Sequence, residues 1–219
     1  MHRDTRAASG VYHLKAARLF WRRVLRKTGL VHIYYGEGKG KTTAALGVAL
    51  RALANRFSVA ILQFLKNSNR YGELMFFENK IFSEKFPEKI LLRRLGSGCR
   101  HPSKKLCDAC ADCHIDPNNP DIKEISAAKK GLNLAESILS SGKYNLVVLD
   151  EILYALSFKL LDVNDVVNTL KKRHKTVETI LTGGGFFKPL FECADYITEM
   201  RNRKHHYEKN KSSILSLDY

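Results

Sequence analysis

Short apolar runs alternate with amphipathic stretches along most of this chain. Continuous runs of aliphatic and β-branched residues are typical of strands that are covered on both faces of a sheet. Apolar residues at three- and four-residue spacing indicate amphipathic helices between these runs. Because strands and helices alternate, the pattern predicts an α/β protein with one mostly parallel sheet covered by helices on both faces.

The same pattern predicts the approximate bounds of the elements. The predicted strands cover residues 30–35, 58–65, 90–95, 144–151, 176–182, 196–199 and 214–217. The predicted helices cover residues 42–54, 71–79, 122–140 and 163–172. Residues 96–120 are rich in Gly, Pro, Cys and Asn, so we expect them to form an irregular segment.

The first 29 residues differ in composition from the rest of the chain, because they carry eight Lys and Arg side chains against a single acid. Apolar residues recur there at helical spacing: Val11, Leu14, Ala17, Phe20 or Trp21, Val24 and Leu25. We therefore divide the chain into a basic amphipathic N-terminal helix at 1–29 and a main domain at 30–219, which carries a cysteine-rich insertion at about 97–120. The helix either packs on the domain or covers its ligand site, and the sequence leaves both open.

Length and composition limit the class of protein. The chain has 219 residues, which is long enough for one sizeable α/β domain. No segment approaches 18 consecutive apolar residues and the N-terminus lacks a signal-peptide pattern, so we expect a cytoplasmic protein with no membrane insertion. The formal net charge of +15 suits polyanions such as nucleic acid, a membrane surface or a triphosphate. It is equally compatible with a solvated basic face.

The most informative stretch is 30–43, which reads LVHIYYGEGKGKTT. A strand runs into a glycine-spaced loop, Gly-Lys-Thr follows and a helix begins, which is the arrangement of a phosphate-binding P-loop. Glycines let the backbone fold around phosphate oxygens, and the first N–H groups of the helix point at the anion. The loop is shorter than usual, because Tyr35 stands where a glycine is expected. The predicted nucleotide-binding residues are Gly36, Glu37, Gly38, Lys39, Gly40, Lys41, Thr42 and Thr43.

An apolar strand that ends in Asp150 and Glu151 supplies the second half of the predicted site. In P-loop proteins such a strand is expected beside the first one, with its terminal carboxylate near Mg²⁺. We therefore expect Thr42 and one of the two acids to hold Mg²⁺, and the sequence does not decide between the acids. Another apolar strand ends in three glycines at 183–185, which form either a flexible turn or a place where the backbone approaches a ligand closely.

Several of these stretches together resemble one family, the P-loop ATP:corrinoid adenosyltransferases, which act on cob(I)alamin and on precursors such as cob(I)yrinic acid a,c-diamide. The resemblance covers roughly residues 30–219 except the cysteine-rich insertion, and it implies a RecA-like P-loop fold. It rests on residues 36–47, Arg51, 59–66, 96–98, 147–152, 182–183, 194–201, Lys204, His205, Asp218 and Tyr219. The glycine loop combined with Leu-Asp-Glu and Thr-Glu-Met-Arg is quite specific to that family.

The resemblance implies that the 5′-deoxyadenosyl group of ATP moves to the cobalt of a reduced corrinoid, with release of inorganic triphosphate. Because Co(I) is the nucleophile, the protein needs none of its own and acts by positioning and electrostatics. The candidate catalytic residues are Lys41 at the triphosphate, and Glu151 and Arg51 near Mg²⁺ or the ribose. The implied partners are ATP, a corrinoid and an electron donor such as a flavodoxin or ferredoxin, and the implied assembly is a homodimer.

Four of the five cysteines fall within one short stretch: Cys99, Cys107, Cys110 and Cys113. In a reducing compartment, clustered thiolates more often bind metal than form disulfides. The spacing suits a [4Fe–4S] centre or a zinc site, with His101 or His114 as a further candidate ligand, and reduced cysteines in a loop remain the alternative. An iron–sulfur centre would be suited to pass the electron that makes Co(I). Cys193 is expected to be a core residue.

Two places depart from the family pattern. The family carries aromatic residues that cover the lower face of the corrin where this chain has Cys99 and His101. Ligation of cobalt by either side chain from below would make Co(II) harder to reduce. In the glycine turn, Gly184 stands in place of the family's arginine.

Two other functions are compatible with the residues alone. The basic charge and the cysteine cluster would suit a nucleic-acid-dependent P-loop ATPase with a metal-binding insertion. Against this, the sequence shows no interleaved aromatic and basic residues of the kind that bind single strands. The third candidate is a module that senses ATP through the P-loop without turnover.

Overall fold

The computed structural model describes residues 28–66, 72–77, 89–98, 115–116 and 119–204. The strands in these ranges are β1 (Val31–Tyr35), β2 (Val59–Gln63), β3 (Ile90–Arg94), β4 (Leu146–Asp150), β5 (Glu178–Gly183) and β6 (Tyr196–Glu199). The helices are α1 (Lys41–Ala54), α2 (Gly72–Phe77), α3 (Ile122–Ser141), α4 (Ile152–Ser157), α5 (Val163–Lys171) and α6 (Lys188–Phe191). The predicted N-terminal helix up to residue 27, the predicted strand at 214–217 and the four clustered cysteines lie outside the described residues.

All six strands belong to one parallel sheet in the order β3-β2-β4-β5-β1-β6. The predicted α/β class is therefore confirmed. The prediction that the strand ending in Asp150 lies beside β1 is wrong, because β5 pairs with both β1 and β4 and separates them. The carboxyl ends of parallel strands share one edge of the sheet. Tyr35, Asp150 and Gly183, which end β1, β4 and β5, therefore meet at that edge.

Helices cover both faces of the sheet. On one face, Ala45, Ala49 and Leu53 of α1 recur every four residues and are almost fully buried with Val148 and Ile180 of the sheet. The opposite face is covered chiefly by α3, α4 and α5, and it forms a larger buried cluster. Because the inner residues of α1 include two alanines, the helix lies close to the sheet and fixes the loop before it against β1, β4 and β5.

The long helix α3 is well delimited by its sequence. The Asp121 side chain accepts a hydrogen bond from Lys123 N, and the Glu124 side chain accepts one from Asp121 N, which together form a capping box. At the other end, Gly142 adopts the left-handed conformation that terminates many helices. These caps return the chain to the start of β4 at the amino edge of the sheet.

The predicted elements within the described residues are found with bounds shifted by a few residues. Two helices, α4 and α6, were not predicted. Both are short, at six and four residues, and each lies soon after an apolar strand, so neither gives a separate helical pattern in the sequence. In the part of the chain that the structure describes, no helix has the length and apolar character needed to cross a bilayer.

Candidate nucleotide-binding site

The glycine loop at 36–40 connects the end of β1 to the start of α1. Gly36 and Gly40 have φ angles of 108° and 105°, which residues with a Cβ rarely adopt. Gly40 is also the residue before the first turn of α1, and no side chain caps that turn. The N–H groups of Lys41, Thr42 and Thr43 begin the helix and have no intrahelical acceptor. They are free to bind an anion, as the sequence predicts.

The outer side of the loop is held by the segment that follows β6. Gly38 N donates to Met200 O at 2.7 Å, and Lys39 N donates to the Asn202 side chain at 3.3 Å. The Asn202 amide in turn donates to Glu37 O at 3.1 Å. A Cβ at Gly38 would lie 2.5 Å from the Met200 backbone, so the close contact requires glycine. Two of the loop N–H groups are therefore used to fix the loop rather than to face a ligand.

Lys41 is the buried cation of this loop. Its side chain is 8% exposed, and its ammonium donates to Gly36 O at 2.7 Å and to Gly38 O at 2.8 Å. The ammonium also lies 5.7 Å from the centre of the Tyr154 ring. The structure thus places a positive charge in the concave side of the loop, where a phosphate oxygen of a nucleotide would be bound.

Asp150 accepts hydrogen bonds on both oxygens of its buried carboxylate. Oδ1 accepts from the hydroxyls of Thr42 at 2.8 Å and Thr182 at 2.7 Å. Oδ2 accepts from the Gln63 amide at 3.1 Å and lies 3.5 Å from the Lys66 ammonium. Asp150 therefore joins α1, β2, β4 and β5 at the carboxyl edge of the sheet. These hydrogen bonds and the nearby cation fix the position of the buried carboxylate.

Thr182, which the sequence analysis used for the family resemblance without giving it a role, belongs to the site. Its hydroxyl donates to Asp150 Oδ1 and accepts from the backbone N–H of Glu151 at 2.9 Å. One hydroxyl therefore orients both the carboxylate of Asp150 and the backbone of the following residue. In sequence it is an ordinary β-branched strand residue. In the sequence, only its position directly before the three glycines indicates a role.

Glu151 stands immediately after β4 in a left-handed conformation, with φ of 63°, and begins α4. Non-glycine residues in this conformation are uncommon and often occur at functional sites. Burial, and after it the neighbouring Asp150 carboxylate, raises the pKa of Glu151 to about 7. Lys66, Lys41 and the Thr42 hydroxyl act the opposite way. The structure thus brings both predicted acids next to Thr42 without separating their roles.

The remaining predicted residues are placed differently. Glu37, Lys39 and Thr43 are exposed around the loop, and Gly36 and Gly38 are buried within it. Arg51 lies in the last turn of α1, ten residues after Lys41, which corresponds to about 15 Å along the helix. The structure does not bring Arg51 to the loop within this chain.

The three glycines after β5 pack against α4. Gly183 has φ of 137°, and a Cβ there would lie 2.8 Å from Tyr154 N. A Cβ at Gly184 would lie 2.4 Å from the Tyr154 ring, and the Ser157 hydroxyl donates to Gly184 O at 3.0 Å. The close backbone approach predicted for these glycines is therefore made to α4. Tyr154, which this packing sets beside Lys41, was also missed in the sequence.

Among the described residues, no group of three His, Cys, Asp or Glu side chains is arranged to hold a metal ion. Cys99, Cys107, Cys110 and Cys113 lie outside those residues, as do His101 and His114. Cys193 is half-buried, is not in a disulfide and packs against the core that α3, α4 and α5 cover, as expected. Its thiol lies 3.3 Å from Pro189 O.

These features define a P-loop nucleotide-binding protein. They are a strand followed by a glycine loop with a buried lysine, a threonine at the start of a helix, and two acids at the end of a nearby parallel strand. Comparison with known protein families shows to which family of P-loop proteins the chain belongs. Residues 27–219 match the family described as ATP:corrinoid adenosyltransferase BtuR/CobO/CobP. The chain belongs to this family, so the predicted family and enzyme class are confirmed, and the nucleic-acid-dependent ATPase gains no support.

Two corrinoid adenosyltransferases are among the relatives of this chain. The chain is similar to the corrinoid adenosyltransferase of Escherichia coli, with 27% identity over 87% of this chain and 86% of that protein. The Pseudomonas aeruginosa corrinoid adenosyltransferase shares 29% identity over 82% of this chain and 78% of its own length. An uncharacterized protein of Nostoc sp. is 34% identical over 82% of this chain, which spans only 46% of that protein. Among solved structures, the flagellar accessory protein FlaH of Methanocaldococcus jannaschii aligns with a TM-score of 0.49 and 16% identity, over 78% of this chain and 71% of that chain.

Proposed function

We propose that this chain transfers the 5′-deoxyadenosyl group of ATP to the Co(I) of a corrinoid and releases inorganic triphosphate. Family membership supports the reaction class. The observation that carries the assignment of the site is the convergence of Lys41 Nζ, the Thr42 hydroxyl and the Asp150 carboxylate at the carboxyl edge of the sheet. This arrangement suits an ATP molecule whose triphosphate is held by the glycine loop and whose ribose points out of the loop.

The bond changes require little acid–base chemistry from the protein. The electron pair of Co(I) forms the Co–C5′ bond, the C5′–O5′ bond breaks, and its electron pair leaves with the triphosphate. Negative charge therefore develops on the phosphate next to the ribose. Lys41 and the first N–H groups of α1 would stabilise that charge, because Lys41 is buried and the N–H groups are fixed in position by the helix before the reaction.

The residues present fit a magnesium ion. A hydroxyl and two carboxylates offer the oxygen ligands that Mg²⁺ prefers, and ATP phosphates and water would supply the others. Because the Thr42 hydroxyl donates its proton to Asp150 Oδ1, its oxygen lone pairs remain directed away from the carboxylate. We assign Thr42 as the residue that would bind the ion directly, Asp150 as the residue that orients Thr42, and Glu151 as a further carboxylate that would help to hold the ion. Bound Mg²⁺ would neutralise charge on the departing triphosphate.

Other expectations from the sequence remain proposals. We propose that a separate electron donor such as a flavodoxin or ferredoxin supplies Co(I), that the chain works in the cytoplasm and that it forms a homodimer. We also propose that the cysteine cluster binds a [4Fe–4S] centre or zinc, on the spacing of its thiols alone. Size measurement in solution and metal analysis of anaerobically purified protein test the last two directly.

The function itself is tested by an anaerobic assay with ATP, Mg²⁺ and chemically reduced cob(I)alamin. We expect a light-sensitive alkylcobalt product that depends on all three components. Hydrolysis of ATP that DNA or RNA stimulates, without any cobalt product, would instead identify a nucleic-acid-dependent ATPase. Binding of ATP with no turnover under any of these conditions would indicate a sensing module.

A further inference from the structure

The turn that follows β5 presents an aromatic side chain beside the glycine loop. β5 ends at Gly183, which pairs in register with Tyr35, the last residue of β1. Paired strands are about 4.8 Å apart, so the turn at 184–187 and the loop that begins at Gly36 leave the sheet side by side. Phe186 in this turn is 64% exposed. An apolar ring is therefore offered to solvent at the edge where the nucleotide site lies.

Phe186 packs on the rings of Phe191 and Tyr35, which lie nearer to the core. Its ring centre lies 4.4 Å from that of Phe191 and 6.5 Å from that of Tyr35. Phe191 is 6% exposed and meets Tyr35 edge-on at 4.9 Å. Phe186 is thus the outer member of a three-ring cluster, which we call the Phe186 cluster, and its inner members are anchored in the core that α3, α4 and α5 cover.

The backbone that carries Phe186 is also fixed. The glycines before it pack tightly on α4, since a Cβ at Gly185 would lie 2.5 Å from the Ser157 hydroxyl and Gly185 has φ of 95°. The Ser157 hydroxyl donates to Gly184 O in the same turn. A side chain presented from a packed turn keeps its place before a ligand arrives, which reduces the entropy lost on binding.

The substrate of the family matches this feature in chemistry. A corrin is a broad, flat, conjugated ring with apolar faces and amide groups at its rim. Cobalt at its centre must reach the ribose of a nucleotide held by the adjacent loop, so part of the ring lies over this edge of the sheet. Aromatic side chains bury apolar area against such rings and stack on them.

We propose that Phe186 is a contact residue for the corrin ring of the substrate, with the rest of the Phe186 cluster as its support. This assignment rests on the proposed function, because it takes the corrinoid as the ligand. Phe186 then contributes to the affinity for the corrinoid, whereas the affinity for the nucleotide depends on the glycine loop.

The test compares variants of the full chain for two separate affinities. Binding of cob(II)alamin in the presence of MgATP is measured anaerobically by ultrafiltration, and binding of ATP is measured without corrinoid. Phe186→Ala should raise the Kd for cob(II)alamin about tenfold, from the loss of buried ring area, and leave the Kd for ATP unchanged. Phe186→Tyr should bind the corrinoid nearly as well as the wild type, because it keeps the ring.

Tyr196→Ala is the matched control. Tyr196 is also an outer aromatic residue, 49% exposed and stacked on His32 at 4.7 Å, but it lies near the amino end of its strand. The Tyr196→Ala variant should have the same Kd for cob(II)alamin and the same Kd for ATP as the wild type. An equal corrinoid Kd for the wild type and Phe186→Ala would overturn the assignment. An equal loss of corrinoid affinity in Tyr196→Ala would also overturn it, as would a Phe186→Ala variant whose only change is its oligomeric state. A wild type that forms no alkylcobalt product would instead refute the proposed function.

Discussion

The hydroxyl of Thr182 on β5 donates to Asp150 Oδ1 on β4 at 2.7 Å and accepts from the backbone N–H that follows Asp150. The carboxylate that orients Thr42 is therefore itself oriented from the strand that separates β4 from β1. Together with the Thr42–Asp150 hydrogen bond, this relationship connects the end of β4 to the start of α1, although β4 and β1 are not neighbours.

Removal of the Thr182 hydroxyl should impair turnover. Thr182→Val leaves Glu151 N without its acceptor and Asp150 with one donor fewer, so we expect kcat to fall about 10- to 100-fold, in line with the cost of an unsatisfied buried group. We also expect the Mg²⁺ concentration for half-maximal activity to rise. Thr182→Ser keeps the hydroxyl and should recover most of the activity.

Thr179 supplies a matched control on the same strand. It is as fully buried as Thr182, but its hydroxyl has no hydrogen-bond partner among the described residues. Thr179→Val should therefore keep full activity and match or exceed the wild type in thermal stability. Equal activity in Thr182→Val and Thr179→Val would show that the Thr182 bridge does not serve the site.

Replacement of Lys41 should slow the reaction severely. Lys41→Ala removes the buried ammonium from the loop, and we expect kcat/KM to fall at least about 100-fold, as for the loss of one charge-stabilising donor in other enzymes. Lys39→Ala removes an exposed cation from the same loop and should have a much smaller effect. Steady-state rates of adenosylation measure both, and a Lys41→Ala variant with wild-type rates would remove Lys41 from the mechanism.

Two glycines should respond to alanine in opposite directions. Gly183 has positive φ and its Cβ would meet the backbone of α4, so Gly183→Ala should lower the free energy of unfolding by about 2 kcal/mol or more. Gly47 lies inside α1 with nothing within 4 Å of its Cβ position, so Gly47→Ala should raise stability by about 0.5–1 kcal/mol. Urea titration gives both values. A stable Gly183→Ala variant would mean that the turn does not pack on α4 as described.

The cysteine cluster predicts a bound metal that depends on its thiols. Cys110→Ser should reduce the iron or zinc content of anaerobically purified protein, because it removes one ligand of the proposed site. Cys193→Ser serves as the control, since its thiol lies apart from the cluster in sequence and packs against the core. Elemental analysis measures the result, and equal metal content in the Cys110→Ser variant and the wild type would contradict the ligand assignment.

Much of the fold and half of the site follow from local sequence. The glycine loop with Lys41 and Thr42 needs only residues that are adjacent in the chain, so its pattern is visible directly. Strand neighbours depend on long-range pairing, and nothing local in β4 indicates that β5 lies between it and β1. For the same reason the sequence analysis gave no role to Thr182 or Tyr154. Each acts through a partner that is distant in sequence, and each has a residue type that also fits a strand or a short helix.

We propose that carbon rather than phosphorus is the electrophile when ATP reacts in this site. The most direct measurement is the phosphate product formed anaerobically from ATP, Mg²⁺ and reduced cob(I)alamin. We expect inorganic triphosphate in equimolar ratio to the adenosylated corrinoid, with both formed at least about 100-fold more slowly by Lys41→Ala. Formation of ADP and phosphate in place of triphosphate would contradict it.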